Sequence, residues 1–140
     1  MHELLRPGLE LDYDDYDICT VACLLKAYVR ELPTPLIPPE TYPHLSDFTS
    51  GHTDKQLTKF IKSSILSPMS HQTRSFLGHL VYLLNAVKER SGVNHMGAKN
   101  LAIVWTPNLI RHERAEDEMA CIKVSHLIVE YMINHAYDLF

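Results

Sequence analysis

The sequence lacks the features that mark several large protein classes. Its 140 residues have a net charge of −4 and no basic excess or basic stripe, which argues against a nucleic-acid partner. No apolar run approaches the roughly 20 residues that a membrane span requires, and residues 1–10 have no apolar centre of signal-peptide type. We therefore expect a cytoplasmic protein with no nucleic-acid partner and no membrane span.

The cysteines and histidines of this sequence lack the spacing of a disulfide framework, a zinc site or a catalytic triad. The three cysteines, Cys19, Cys23 and Cys121, are an odd number and do not form a disulfide framework. Cys19 and Cys23 share a helical face, but no two further ligands stand at zinc spacing. The nine histidines are scattered, and no Cys/His arrangement indicates a hydrolytic triad. We expect no metal site and no cofactor.

Helical periodicity is what the chain does contain. Sustained strand alternation and hairpin turns are absent. An acidic stretch that ends at Asp17 precedes apolar residues at helical spacing, and the prolines from Pro33 onward stop the helix near Glu31. Its apolar stripe predicts that four positions face the core: Ile18, Ala22, Leu25 and Val29.

Capping signals place two further helices. Thr53 and Gln56 have the spacing of a capping box, and Pro68 should end the helix that they open. Ser70 is a candidate cap for the next helix, and Gly92 suits its exit. The apolar residues of that helix predict one buried face: Phe76, Leu77, Leu80, Leu83, Leu84 and Val87.

The remaining segments complete an all-α prediction of five or six helices. A short helix is expected over 42–48 and a longer one over 96–110, with a kink or an end near Thr106 because Pro107 follows. Residues 111–118 read as a charged loop, and the last helix should run over 118–136. The expected architecture is a helical bundle.

Three stretches resemble the RhoGAP domain family. Residues 24–37 read LLKAYVRELPTPLI, residues 94–109 read NHMGAKNLAIVWTPNL, and residues 134–140 read NHAYDLF. Their order and the lengths between them also match that family, and the wording around Trp105 is most similar to its Cdc42- and Rac-directed branch. The resemblance implies an all-α RhoGAP-like helical bundle over residues 16–140, truncated at its N-terminus, with an acidic lead-in over 1–15.

The resemblance also assigns candidate binding residues. The family position matching Lys26 contacts the GTPase, the one matching Arg30 holds the arginine-finger loop, and the one matching Asn100 lies at the interface beside the finger. Asn108 matches a polar position of the loop or interface. The residues alone leave other interpretations open: Lys26 and Arg30, four apart, would share a solvated basic face, and Asn100 would be a buried amide that bonds nearby backbone.

The resemblance implies a GTPase activator rather than an enzyme, but the catalytic arginine is not found. In the family it lies in a Gly-apolar-aromatic-Arg-x-Ser-Gly loop, and no such string occurs here. Arg6 lacks the Ser-Gly and lies only 20 positions before Lys26. We expect binding to a Rho-family small GTPase, Cdc42 or Rac favoured, with weak or no activation. The alternative is a catalytically silent protein–protein interaction module.

Overall fold

The computed structural model describes residues 12–45, 52–111 and 115–140. Within these ranges the chain is helical, and no β-strand occurs. Two single 3₁₀ turns, Tyr13–Asp15 and Pro39–Thr41, and a π-helical segment, Ile61–Leu66, accompany the α-helices. In chain order the α-helices are α1 (Ile18–Arg30), α2 (Tyr42–Leu45), α3 (Asp54–Phe60), α4 (His71–Glu89), α5 (Ser91–Asn94), α6 (Ala98–Leu109), α7 (Ala115–Asn134) and α8 (Ala136–Leu139).

Helix α1 begins and ends where its sequence predicts. The Asp17 carboxylate caps it by accepting a hydrogen bond from the Thr20 amide at 2.9 Å, and that bond lowers the pKa of the Asp17 carboxyl. The predicted buried stripe is wrong for the N-terminal half, where Ile18 is 80% exposed and Ala22 is also exposed. Of the four predicted positions, Leu25 and Val29 turn inward, because the described part of the chain covers α1 at its C-terminal half.

Local capping also explains α3. The Thr53 amide donates to Gln56 Oε1 at 2.8 Å, and the Gln56 amide donates to Thr53 Oγ1 at 3.4 Å, so the predicted capping box is confirmed. Helical structure continues through the π-helical segment and stops at Leu66, two residues before Pro68. The sequence analysis did not predict the change from α-helical to π-helical geometry at Ile61.

Helix α4 packs against α6 and α7 in the core and is capped by Ser70, whose hydroxyl accepts from the Thr73 amide at 3.2 Å. The prediction for its buried face is partly wrong. Phe76 and Leu83 are 36% and 49% exposed, whereas Val81 and Asn85 are buried. The difference arises because α6, α7 and α8 pack on one side of α4, which centres the buried face away from Phe76.

The exit from α4 differs from the glycine exit that the sequence predicts. The chain passes through α5 and turns at His95, whose φ of 59° lies in the left-handed region. Asn94 braces this turn: its Nδ2 donates to the Val87 carbonyl, and its Oδ1 accepts from the Met96 amide, both at 2.8 Å. Gly92 therefore lies inside α5 and does not terminate α4.

Helix α6 continues through Pro107 to Leu109, so of the two outcomes predicted near Thr106, a kink or an end, the end is wrong. Proline removes one backbone donor from this last turn. The side chains on either side bond to carbonyls of the preceding turn: Thr106 Oγ1 donates to Ala102 O at 2.6 Å, and Asn108 Nδ2 donates to Val104 O at 3.0 Å. These bonds go to the carbonyls on either side of Ile103, whose oxygen lies four residues before Pro107.

The core lies among α4, α6 and α7. Helix α7 begins at Ala115, so the predicted loop over 111–118 is shorter than expected, and residues 112–114 lie outside the described residues, as does the end of the helix predicted over 42–48. In the described ranges no helix combines the length and apolar character needed to cross a bilayer. The largest fully buried side chains include Ile61, Ile65, Leu77, Leu109, Ile128, Met132 and Ile133.

Candidate functional site

A shallow groove, here called the α1–α6 groove, runs between the C-terminal halves of helices α1 and α6. Its volume is about 430 Å³. Helix α1 contributes the spacing i, i+3, i+4 and i+7, which places these residues on one face. The residues that line the groove are Cys23, Lys26, Ala27, Arg30, Val104, Pro107 and Asn108.

Lys26 and Arg30 are the charged groups of this groove. Lys26 is half-buried and Arg30 is exposed, and neither side chain forms a salt bridge or hydrogen bond with any other described residue. Like charges four apart on a helix destabilise it by about 0.2–0.5 kcal/mol. Arg30 is favoured by its place in the last turn, but Lys26 lies a turn earlier. Helix stability alone does not explain this pair.

Hydrogen bonds between the segment after α1 and the end of α6 set the distance between the two walls of the groove. The segment after α1 is tied to the end of α6 by the Ile37 amide, which donates to the Leu109 carbonyl at 3.1 Å. Arg111 adds a second tie, since its Nη2 donates to the Leu32 carbonyl at 2.6 Å. These two bonds hold the C-terminal end of α1 in a fixed position relative to the end of α6.

Arg111 is a residue of this arrangement that sequence analysis missed. It was assigned to a charged loop, yet its amide donates to the Tyr42 hydroxyl at 2.9 Å and its Nε is buried without a partner among the described residues. Burial raises the pKa of the Tyr42 phenol. No motif in the sequence marks Arg111, because its partners, Leu32 O and Tyr42, lie about 70 to 80 residues earlier in the chain.

Asn108 lies with Lys26 and Arg30 but faces inward. It is only 6% exposed, and its Nδ2 donates to the Val104 carbonyl. A buried amide that is bonded in this way stabilises the local backbone. Asn108 therefore forms part of the groove wall, and its amide nitrogen is already engaged within α6.

Asn100 lies apart from the other three candidates. It is exposed in the first turn of α6, and its Nδ2 donates to the His95 carbonyl at a long 3.4 Å. Eight residues separate it from Asn108, which corresponds to about 12 Å along the helix axis. Asn100 lines a separate hollow that includes Lys99 and Glu130. The structure thus brings together Lys26, Arg30 and Asn108 but not Asn100.

Apolar side chains connect Asn100 to the groove along the exposed side of α6. Ile103 is 47% exposed and Val104 is 40% exposed. On the other side of α1, the ring centroids of Tyr28 and Phe76 lie 6.1 Å apart, and both rings are partly exposed. Unpaired cations beside exposed apolar and aromatic groups are the composition of a protein-binding surface. In the described residues no group of three or more His, Cys, Asp or Glu side chains could hold a metal ion.

Comparison with known proteins gives one family. The family profile described as RhoGAP domain matches residues 2–114. Rho GTPase-activating protein 32 of Xenopus laevis is 34% identical over 145 residues, which cover 96% of this chain and 7% of that protein. Rho GTPase-activating protein gacY of Dictyostelium discoideum is 32% identical over 136 residues, which cover 95% of this chain and 19% of that protein. The chain thus spans a fifth or less of these two relatives.

A solved structure has the same fold. The crystal structure of human Rho GTPase activating protein 15 superposes with a TM-score of 0.88 at 23% sequence identity. The match covers 98% of this chain and 66% of that chain. The similarity extends over the described helices, which agrees with the all-α architecture expected from the sequence.

Proposed function

The chain belongs to the RhoGAP domain family, and on this premise we propose that it binds Rho-family small GTPases through the α1–α6 groove. The observation that carries the proposal is the pair Lys26 and Arg30, side by side and unpaired among the described residues. Charges left available on a surface steer and orient a partner of opposite charge. The domain that acts in this way is residues 16–140.

Each candidate residue has a role that its environment supports. Lys26 would contact the GTPase directly, because its ammonium is free and its stem lies against the groove. Arg30 would bond the partner beside Lys26, for which a planar guanidinium with several donors is suited. Asn100 would contact the partner at the far end of α6, and Asn108 would support the groove wall.

We further propose that these 140 residues accelerate GTP hydrolysis weakly or not at all. The GTPase holds GTP and Mg²⁺ and positions the attacking water, while an activator's arginine finger stabilises the charge that develops on the phosphoryl group. That finger is worth roughly 10³–10⁵ in rate. The sequence contains no Gly-apolar-aromatic-Arg-x-Ser-Gly string that would supply it. The chain acts in this proposal as a regulator of its partner's chemistry.

Single-turnover hydrolysis and binding measured together test both parts. The chain is added to GTP-loaded Rho, Rac and Cdc42, with Cdc42 or Rac expected to bind most tightly. We expect measurable binding to the GTP state and an acceleration far below roughly 10³. A thousandfold acceleration would contradict the weak-activation part, and no binding to any of the three would contradict the GTPase-binding part.

Matched lysine variants show whether the groove is the binding surface. Lys26→Ala should weaken binding, whereas Lys123→Ala, at an exposed lysine of α7 outside the groove and outside the hollow that Asn100 lines, should leave it unchanged. Equal effects of the two variants would contradict the assignment to the groove.

The second candidate function, a silent interaction module for another protein, is favoured by the exposed apolar side chains of Ile103 and Val104. This second function is supported if the folded chain binds none of the three GTPases but binds another protein, and if the Val104→Asp variant loses that binding. The same variant should weaken GTPase binding if the first candidate holds, because a carboxylate would then lie at the edge of the GTPase interface.

A further inference from the structure

A row of lysines crosses the surface formed by α3 and the π-helical segment. Lys55, Lys59 and Lys62 are spaced by four and three residues, which places them along one face of a helical segment. All three are exposed. The row extends roughly 10 Å along the segment, given a rise of about 1.5 Å per residue. We call these three residues together with Arg74 of α4 the basic face.

Two hollows flank the row, with volumes of about 780 Å³ and 490 Å³. Lys62 and Ser67 line both of them, so the two hollows adjoin at these residues. The larger hollow contains Lys55 and Lys59, and the smaller one contains Arg74. The charges of the basic face therefore lie along two adjoining hollows.

The cations of the basic face are not neutralised within the fold. None of the four forms a salt bridge or a side-chain hydrogen bond with another described residue. Two carboxylates line the larger hollow, those of Asp54 and Asp138, and Asp138 Oδ2 lies 3.5 Å from His135 Nδ1. Cations outnumber carboxylates two to one on this face, in a chain whose net charge is −4.

The smaller hollow adds an apolar wall to the basic face. Leu66, Leu139 and the ring of Phe140 line it. Gly78 makes room for that ring, since a Cβ at this position would meet it at 3.0 Å. The Tyr82 hydroxyl donates to the Phe140 carbonyl at 2.9 Å and fixes the wall. Cations beside an apolar recess suit a ligand with an anionic head and an apolar body.

We propose that the basic face docks on an anionic phospholipid surface. Exposed lysines are hydrated point charges. They are better suited to a surface of many anionic headgroups than to a single bidentate contact from which water is excluded. Their arrangement in a row of about 10 Å follows a plane of charges and does not converge on one point. The apolar recess next to Arg74 can accept the apolar part of a lipid at the interface.

The basic face and the α1–α6 groove share no lining residue. On α4, Arg74 and Gly78 face the smaller hollow, whereas Phe76 contacts Tyr28 of α1. At about 100° per residue, Phe76 points roughly 160° away from Arg74 and Gly78. The two surfaces therefore consist of different residues and can be tested separately.

Vesicle co-sedimentation of the full chain tests the proposal. The vesicles are phosphatidylcholine alone, phosphatidylcholine with phosphatidylserine, and phosphatidylcholine with a phosphatidylinositol bisphosphate, the last two matched in total charge. We expect binding to the anionic vesicles, none to phosphatidylcholine, and a decrease as salt is raised. Lys59→Ala with Lys62→Ala should weaken binding by about 25-fold, or about fivefold for each lysine.

The matched control is Lys99→Ala with Lys123→Ala, two exposed lysines outside both hollows. Thermal unfolding of each variant confirms that the fold is retained, and Lys59→Arg with Lys62→Arg should keep binding because the charge remains. The proposal is overturned by equal binding to neutral vesicles, by no vesicle binding, or by an equal loss in the control pair. It is also overturned if soluble inositol phosphate binds while the anionic vesicles do not.

Discussion

Two buried polar side chains of the interior have hydrogen-bond partners within the fold, whereas the charged side chains of the α1–α6 groove have none among the described residues. Inside, Asn85 Nδ2 donates to the Ile133 carbonyl at 2.8 Å, and Thr106 Oγ1 bonds to the Ala102 carbonyl. In the groove, Lys26 and Arg30 have no such partner among the described residues. The side chains of Asn85 and Thr106 thus stabilise the fold, while the charges of Lys26 and Arg30 remain available to interact with another molecule.

We therefore expect substitutions in the interior and substitutions in the groove to have different effects. A change inside should lower the free energy of unfolding and affect binding only through the folded fraction. A change in the groove should affect binding and leave unfolding almost unchanged, since surface substitutions away from special features usually stay within about 0.5 kcal/mol.

The largest expected effect is that of Trp105→Ala in the interior. The Trp105 side chain is only 6% exposed in the core, and its removal leaves a cavity. We expect a loss of about 3–5 kcal/mol in the free energy of unfolding, measured by urea denaturation. Ile103→Ala, at a position 47% exposed on the same helix, is the control and should cost much less. Similar losses in both variants would contradict the assigned burial.

In the groove, Arg30→Ala should weaken binding to the GTP-bound partner by about 2 kcal/mol, or roughly thirtyfold, because a charged contact is lost at the interface. The midpoint of urea unfolding should stay the same. Isothermal titration and denaturation on one preparation provide the comparison. If stability fell as much as binding, Arg30 would belong with the interior residues, and the contrast between the two regions would fail.

Asn85→Ala should have a medium effect. It removes the donor to the Ile133 carbonyl and leaves that oxygen buried without its partner. The expected loss is about 1–3 kcal/mol of unfolding free energy. Asn134→Ala, an exposed amide near the end of α7, is the matched control. An Asn85 variant as stable as the Asn134 variant would show that this buried bond contributes little.

Thr53→Ala tests a polar contact at the surface that serves the fold. It breaks the capping box with Gln56 at the start of α3, and we expect a loss of about 1 kcal/mol. Thr53→Ser keeps the hydroxyl and should restore most of the stability in thermal unfolding. If Ser and Ala behaved alike, the cap would not be the source of the effect.

The smallest effect is expected at Asp17 and depends on pH. The bond from the Thr20 amide lowers the folded-state pKa of the Asp17 carboxyl below the ordinary value of 3.8. Its stabilising contribution is thus complete above that value and is lost as pH falls through the lowered pKa. Asp17→Asn also caps the helix but does not titrate. Below pH 3.8 its melting temperature should fall less steeply than that of the wild type, and parallel curves would contradict this.

Local signals made much of the fold predictable. Asp17, Thr53 and Ser70 act on amides three residues away, so their helices could be placed from neighbouring letters alone. The faces of the helices were less predictable. Ile18 and Leu83 carry the apolar character of a core stripe and yet are exposed, because burial depends on which element packs over them.

The candidate site was predictable to a similar extent. The four-residue spacing of Lys26 and Arg30 placed them correctly on one face. The two asparagines were placed less well: Asn108 is bonded inside its helix, and Asn100 lies exposed at the other end. The row of Lys55, Lys59 and Lys62 was overlooked because a net charge of −4 masks a local concentration of positive charge.

Pro107 gives the groove a property beyond its side chains. Proline has no amide hydrogen, so it cannot donate to the carbonyl of Ile103, four residues earlier. Pro107 and Ile103 both lie on the exposed side of α6. A backbone oxygen is thereby left for water or an incoming N–H group. A docking molecule can meet an acceptor that no substitution at Ile103 itself would remove.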